Sequence, residues 1–224
     1  MQKKLFIHIP KNAGMTIRGN KEFTKYCFYV KPNMIRGYKT FKTVMQSYNE
    51  RDTKEVYHAR WRDVIESYTS AFKAFAIVRN PWGKVVSRYL FAKNAIENEK
   101  VIGKDYADVR SLEHFLEERH RWFDKELTWY RAIRGWHPQL DHVVDEKGIV
   151  RCDILRFEHF SEDIKKYLQL SNMPKSRNIT KIRKDYKKLY NNKTINIVAD
   201  WYKKDIDYWG FDFDTGAQKN TWTI

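Results

Sequence analysis

Two short stretches carry side chains suited to holding an anion. The first is Leu5-Phe6-Ile7-His8-Ile9-Pro10-Lys11-Asn12-Ala13-Gly14-Met15-Thr16. Its apolar, β-favouring run ends at Pro10, which cannot donate to a sheet ladder. Small residues and a glycine follow, so the stretch reads as strand, tight turn and helix start. Such a turn leaves backbone N–H groups pointing outward, and the helix dipole adds positive potential, which together suit phosphate. Lys11 and Thr16 add an ammonium and a hydroxyl to the same turn. The turn is not a Walker A loop: G-x-x-x-x-G-K-[ST] is absent, and the lysine opens the turn instead of closing it. A basic surface turn after an edge strand fits the same residues.

The second stretch follows a predicted strand, Phe72 to Val78, which ends at Arg79-Asn80-Pro81. Asn80 suits an N-cap and Pro81 the first helical position. Val85, Val86, Tyr89 and Leu90 then mark the buried face of a helix, with Lys84, Ser87 and Arg88 on a different face. Arg79 thus leaves the tip of a strand, and Ser87 sits two turns into the next helix. His58 lies in Glu55-Val56-Tyr57-His58-Ala59, which reads as another short strand.

The elements that must position these groups alternate along the chain. Tyr26 to Val30 and Val150 to Phe157 read as further strands. Helices are expected from Met15 to Phe23, after a cap at Asp63, after Ser111, from Asp124 to Ile133, after Ser161, and from near Thr194 to a stop at Gly210. Met34 to Asp52 is polar and ambiguous, with partial helix possible. Strands alternating with helices predict an α/β fold, a parallel sheet with helices on both faces. Ligands there gather at the carboxyl ends of strands, where Lys11, His58 and Arg79 all fall.

At 224 residues the chain suits one domain, and no linker or repeat divides positions 1–224. Its 42% hydrophobic and 16% aromatic content excludes a disordered chain. The formal net charge of +15 calls for an anionic partner without choosing among nucleotide, acidic glycan, nucleic acid and membrane surface. Cys27 and Cys152 have no metal-binding or redox spacing, which fits a reducing compartment. No apolar run approaches the roughly eighteen residues of a membrane span. Met1-Gln2-Lys3-Lys4 precedes an apolar run too short for a signal peptide and broken by Pro10-Lys11. A soluble, cytoplasmic or otherwise intracellular protein is expected.

Taken together, the two stretches resemble the sulfotransferases, in particular the carbohydrate (heparan-type) branch with an H-I-P-K-x-A-G-x-[ST] loop. The matching residues are His8 to Thr16 and Ala76 to Tyr89, with further similarity in Ile154 to Glu158, Tyr202 to Asp205 and Trp209 to Phe211. The resemblance implies a P-loop-like three-layer fold. It implies 3′-phosphoadenosine 5′-phosphosulfate (PAPS) as sulfuryl donor, its product PAP, and no metal. Carried over, Lys11, Asn12, Ala13, Gly14, Met15 and Thr16 cradle the 5′-phosphosulfate, and Arg79 with Ser87 holds the 3′-phosphate. Arginine offers a fixed fork of donors to phosphate oxygens, and Lys11 a mobile charge for the bridging oxygen as the S–O bond breaks. His58 matches a base histidine of related carbohydrate sulfotransferases, worth about 10²–10⁴ in rate. The acceptor implied is a hydroxyl, of a saccharide or glycan, with no nucleic acid.

This chain departs from that pattern at Met15, where a hydroxyl residue is common, and at Gly83-Lys84, where an Asp-Arg pair is common. His8 is expected to be structural, and His137 to pack in its loop or meet substrate. Glu158 is a reserve base, with an Arg156 or Arg177 partner the plainer expectation. Lys181, Arg183, Lys184, Lys187 and Lys188 read as a solvated face, and the aromatics of Trp122 to Trp136 as core. Two other functions compete. A kinase needs a Walker loop and Mg²⁺ ligands, and no such loop exists. A non-catalytic basic module binding RNA or an acidic polymer predicts steeply salt-dependent binding indifferent to Lys11 and His58.

Overall fold

The computed structural model describes residues 2–47, 53–98, 107–122, 136–174 and 186–214. Four apolar runs among them form strands: β1 (Lys4–Ile7), β2 (Cys27–Tyr29), β3 (Ala74–Val78) and β4 (Asp153–Arg156). They make one sheet in the order β2-β1-β3-β4, with every pairing parallel. In register, Ile7 lies opposite Ala76, and Val78 opposite Arg156.

Period-two alternation sorts the strand residues into two cores. Leu5, Ile7, Ala74, Ala76, Val78 and Ile154 face one way. Phe6, Phe75, Ile77 and Leu155 face the other. On the first face pack α2 (Tyr38–Ser47), α4 (Pro81–Glu97), α5 (Leu112–Trp122), α8 (Asn192–Trp201) and α9 (Lys203–Trp209), through Phe41, Val85, Phe115, Val198 and Trp209. On the second pack α1 (Gly14–Arg18) and α7 (Phe160–Leu168), through Ile17, Ile164 and Leu168. Two one-turn helices, α3 (Glu66–Thr69) and α6 (Leu140–Val143), complete the set among the described residues. The result is the expected α/β fold, helices on both faces of a parallel sheet.

This strand order makes a crevice. From β1 the chain turns to β2 on one side, and it later enters β3 on the other. The loops that leave β1 and β3 therefore diverge above adjacent strands, where a ligand can enter between them.

Several local expectations are corrected. Residues 55–59 are not a strand: Thr53–His58 is a 3₁₀ helix. Val56 and Ala59, three apart and both buried, stack on one side of that turn, and the Ala59 amide bonds the Val56 carbonyl at 2.9 Å. Asp63 caps no following helix. Its carboxylate takes the Arg60 amide and guanidinium, closing a 3₁₀ turn at Trp61–Asp63. Ser161 lies inside α7, which begins at Phe160. The first helix ends at Arg18. The last expected helix breaks at Tyr202 into α8 and α9, and Gly210, in the left-handed region at φ 67°, stops the second. Asn80 and Ser111 do cap: Asn80 Oδ1 accepts from the Trp82 amide at 3.1 Å, and Ser111 Oγ from the His114 amide at 3.2 Å. Both cysteines are free and buried. The helix expected at Asp124 to Ile133, with Arg177, Lys181, Arg183 and Lys184, lies outside the described residues.

Candidate active site

After β1 the backbone folds back under strain. Lys11 and Ala13 both take positive φ, 69° and 60°, which costs residues with a Cβ about 1–3 kcal/mol each. Gly14 is required by close approach. A Cβ there would stand 1.6 Å from His8 Nε2, so the His8 ring lies directly on the turn. The Thr16 and Ile17 amides bond the Ala13 carbonyl, closing the turn. The amides of Ala13, Gly14 and Met15 meet no acceptor among the described residues and form the donor surface of the loop. Because α1 has five residues, these amides and Lys11 matter more than any dipole. Met15 is exposed, so its place in the loop rests on its amide.

Arg79 rises from the end of β3 beside this turn. Its Nη1 donates to the Lys11 carbonyl at 3.2 Å. Its guanidinium lies 4.1 Å above the Phe157 ring and covers Gly83, where a Cβ would come within 3.4 Å of Nε. Gly83 therefore lies against the site, and a side chain there would be in van der Waals contact with the guanidinium. Ser87, one helical turn beyond Gly83, is buried on the same side of α4.

The other face of α4 holds a surprise of burial. Lys84 and Arg88, expected on a polar face, are 1% and 0% exposed. Arg88 lies 3.9 Å over the Trp136 ring and donates to the Tyr202 hydroxyl at 3.4 Å. Lys84 Nζ sits 5.2 Å from the centre of the Tyr202 ring, with no hydrogen bond or ion pair among the described residues. Lys11 Nζ lies 4.0 Å over Phe91.

These buried cations feel their desolvation and one another. Burial, then Arg79 and Arg88, lowers Lys11 to about 8. Burial lowers Arg79 to about 10 against the attraction of Glu158. Burial lowers Lys84 to about 7 despite the pull of Asp205. The two nearby carboxylates are already committed to backbone. Glu158 Oε1 accepts from the Asn80 amide at 2.8 Å, and Asp205 from the Gln139 and Leu140 amides at 2.8 and 2.9 Å. Of the two expected arginine partners of Glu158, Arg156 binds Asp163 instead, at 2.7 Å, and Arg177 lies outside the described residues. The cluster is short of negative charge and suited to a polyanion.

Histidines line the adjacent wall. His58, 7% exposed, meets His8 edge-on with ring centres 4.4 Å apart. Tyr57 lies between the His8 ring and Arg18, whose guanidinium is 3.4 Å above it. Burial first, then His58 and neighbouring cations, keeps His8 neutral, well below 6.5. His142 is lowered in the same way. His137 falls to about 4 through burial and the charges of Arg60 and Lys84. His58 reaches this wall from a 3₁₀ helix and not from a strand end.

A model of the sulfotransferase family matches residues 2–212. The chain belongs to the sulfotransferase family. Comparisons with curated proteins and with solved structures each return no match. As a sulfotransferase it catalyses transfer of a sulfuryl group to an acceptor. Among the described residues no group of His, Cys, Asp or Glu is arranged to hold a metal ion, and no helix is long and apolar enough to cross a membrane.

The structure of this sulfotransferase brings Lys11, Arg79 and the Asn12 to Thr16 turn together, and sets His58 beside His8 on the neighbouring wall. Sequence reasoning missed Gln139. It is fully buried and bonds Asn12, Arg79 and Asp205 at once. A glutamine after His137-Pro138 in a loop gives no periodic signal. Lys84 and Arg88 were missed because a cation in a helix is ordinarily solvated.

Proposed function

We propose that this sulfotransferase takes its sulfuryl group from PAPS and delivers it to a hydroxyl, with a saccharide as acceptor class. The observation that carries the reading is the 3.2 Å contact of Arg79 Nη1 with the Lys11 carbonyl, which joins the two anion-holding loops in one cluster of buried cations. The residues fit such a donor. Arg79, Lys84 and Arg88 are buried, half-buried Lys11 stands beside them, and the turn offers three unclaimed amides. In this reading Lys11, Asn12, Ala13, Gly14, Met15 and Thr16 take the 5′ end. Arg79 and Ser87 take the 3′-phosphate, with Gly83 lying against the guanidinium.

PAPS supplies an activated sulfuryl group, whose S–O bond to phosphate breaks as a bond to the acceptor oxygen forms. His58 receives the acceptor's hydroxyl proton. The charge that develops on the leaving phosphate oxygen falls to Lys11, whose ammonium is already desolvated and so acts at greater strength than in water. By analogy with phosphoryl transfer, the protein mainly positions and neutralises. The saccharide assignment rests on the resemblance of the His8 to Thr16 loop. The same reading takes residues 1–224 as one sulfotransferase domain.

The test has two parts. PAP is added during thermal unfolding of the protein and of Arg79→Ala. Protection of the first and not the second is expected. Labelled sulfate transfer from PAPS is then followed over a panel of oligosaccharides and small alcohols, with His58→Ala as control. Absence of protection by PAP, or equal protection of Arg79→Ala, removes the donor assignment. Transfer by His58→Ala at the wild-type rate removes the base.

A further inference from the structure

Gln139 uses its whole side chain to tie the two donor loops together. Its Oε1 accepts from Asn12 Nδ2 at 2.6 Å and from the Arg79 amide at 2.9 Å. Its Nε2 donates to the Arg79 carbonyl at 2.8 Å and to Asp205 Oδ2 at 3.2 Å. The pair of bonds to Arg79 reproduces a sheet rung, so the amide continues the ladder where β3 has ended. Asn12 adds a second stitch, donating to the Ile77 carbonyl of β3 at 2.8 Å. Asp205, from α9, anchors the clamp by accepting from the backbone amides of Gln139 and Leu140. Gln139, Asn12 and Asp205 are each fully buried, so every one of these bonds is shielded from water.

Lys11 and Arg79 are like-charged, and each lies next to a clamped residue or carries the clamp on its own backbone. Without a ligand their repulsion favours opening of the loops. The Arg79 guanidinium nevertheless reaches the Lys11 carbonyl. We infer that Gln139, anchored by Asp205 and linked to Asn12, is a positioning residue that holds the two donor-binding loops at their binding separation before the donor arrives. The inference rests on the donor reading above. Its physical content is preorganisation: affinity gained because the loops need not be gathered at the moment of binding.

Gln139→Met keeps length and volume and removes all four side-chain bonds. Asn12→Ala removes both Asn12 bonds, to Gln139 and to the Ile77 carbonyl. PAP affinity is measured by calorimetry for the wild type, both single variants and the double variant at one ionic strength. Each single change is expected to weaken binding by about tenfold or more. The double change is expected to weaken it by less than the product of the two single factors, because the two changes share the Gln139–Asn12 bond of one clamp. Factors that multiply, or a Gln139→Met affinity equal to wild type, overturn the inference.

A second readout needs no ligand. Amide hydrogen exchange in the free protein is compared for segments 9–18 and 77–83. In Gln139→Met both are expected to exchange faster together. In Asp145→Asn, which weakens a turn outside the cluster, neither is expected to change. Loosening of the 136–143 loop alone refutes the clamp. If wild-type protein fails to bind PAP, the donor reading falls while the exchange result still judges the clamp. Should Gln139→Met not fold, Gln139→Glu replaces it. As a carboxylate it keeps the acceptor to Arg79 and loses both donations, and faster exchange in the same two segments is expected.

Discussion

Replacing Lys84 with methionine should make this protein more stable, and more so in acid. Lys84 is 1% exposed in the first turn of α4, and its ammonium has no hydrogen bond or ion pair among the described residues. Burial brings it from 10.5 to about 7, and the attraction of Asp205 is already included in that fall. The net effect of charging Lys84 in the fold is therefore unfavourable. Between about pH 7 and 10.5 the unfolded chain holds this proton and the folded chain does not, so stability from this group rises with pH across that window. Below neutrality both states are charged and the whole penalty, at most about 5 kcal/mol, is present. Relaxation and water entry reduce it, so a gain of about 2 kcal/mol or more for Lys84→Met is expected near pH 6. The gain should shrink steadily toward about pH 9 as wild-type Lys84 loses its proton.

Methionine has nearly the same helix propensity and volume, so neither offsets the comparison. Asp205 stays held by its bonds to Gln139 and Leu140. The assay is urea denaturation followed by tryptophan fluorescence at matched ionic strength across that pH range. A variant less stable than wild type in acid, or a gain independent of pH, refutes the reasoning. In that case Asp205 compensates the charge fully and the cation cluster is not under strain. The same variant should bind PAP more weakly, since the unpaired charge that burdens the fold is available to a polyanion.

Other outcomes follow from the same geometry. His58→Ala should lower turnover by about 10²–10⁴ while PAP affinity stays unchanged, measured by steady-state kinetics beside calorimetry. Arg79→Lys keeps the charge and loses the fork; PAP affinity should fall by about tenfold to a hundredfold at one ionic strength. PAP affinity should also fall as pH rises through about 8. Lys11 becomes neutral there in the free protein, and binding below that pH should show no such loss. Gly14→Ala puts a Cβ 1.6 Å from His8 Nε2, and His8 is packed between Phe6 and Tyr57, so it cannot swing aside. A loss of about 1–3 kcal/mol in denaturation, with turnover reduced through the displaced His8–His58 contact, is expected.

Much of the scaffold is written locally. The runs 4–7 and 74–78 are apolar at nearly every position, as strands covered on both faces must be, and the edge run 153–156 keeps an apolar centre in Ile154 and Leu155. Asn80 with Pro81 announces the start of α4, because a cap and a fixed φ act through neighbouring atoms alone. The His8 to Thr16 and Ala76 to Tyr89 stretches, each at a strand-to-helix junction, lie within the residues 2–212 that match the family. Where local signals mislead, the cause is also visible. Val56, His58 and Ala59 suit a strand by type, yet no neighbouring strand takes them and they close a 3₁₀ turn instead. At the break, Tyr202 has a fully buried ring, and its hydroxyl meets Arg88, 114 residues earlier in the chain.

Residue type and short spacing alone determined the α/β class, the four strands that form the sheet, though not the absence of a fifth at 55–59, and the family the chain belongs to. Only the tertiary structure decided that Lys84 and Arg88 are buried, that His8 lies on Gly14, and that one glutamine stitches loops 60 and 127 residues away from it. Backbone preferences and caps act between neighbours and can be read in order along a chain. The charge balance of a crevice depends on which distant side chains exclude water from it, and that is set when the layers close.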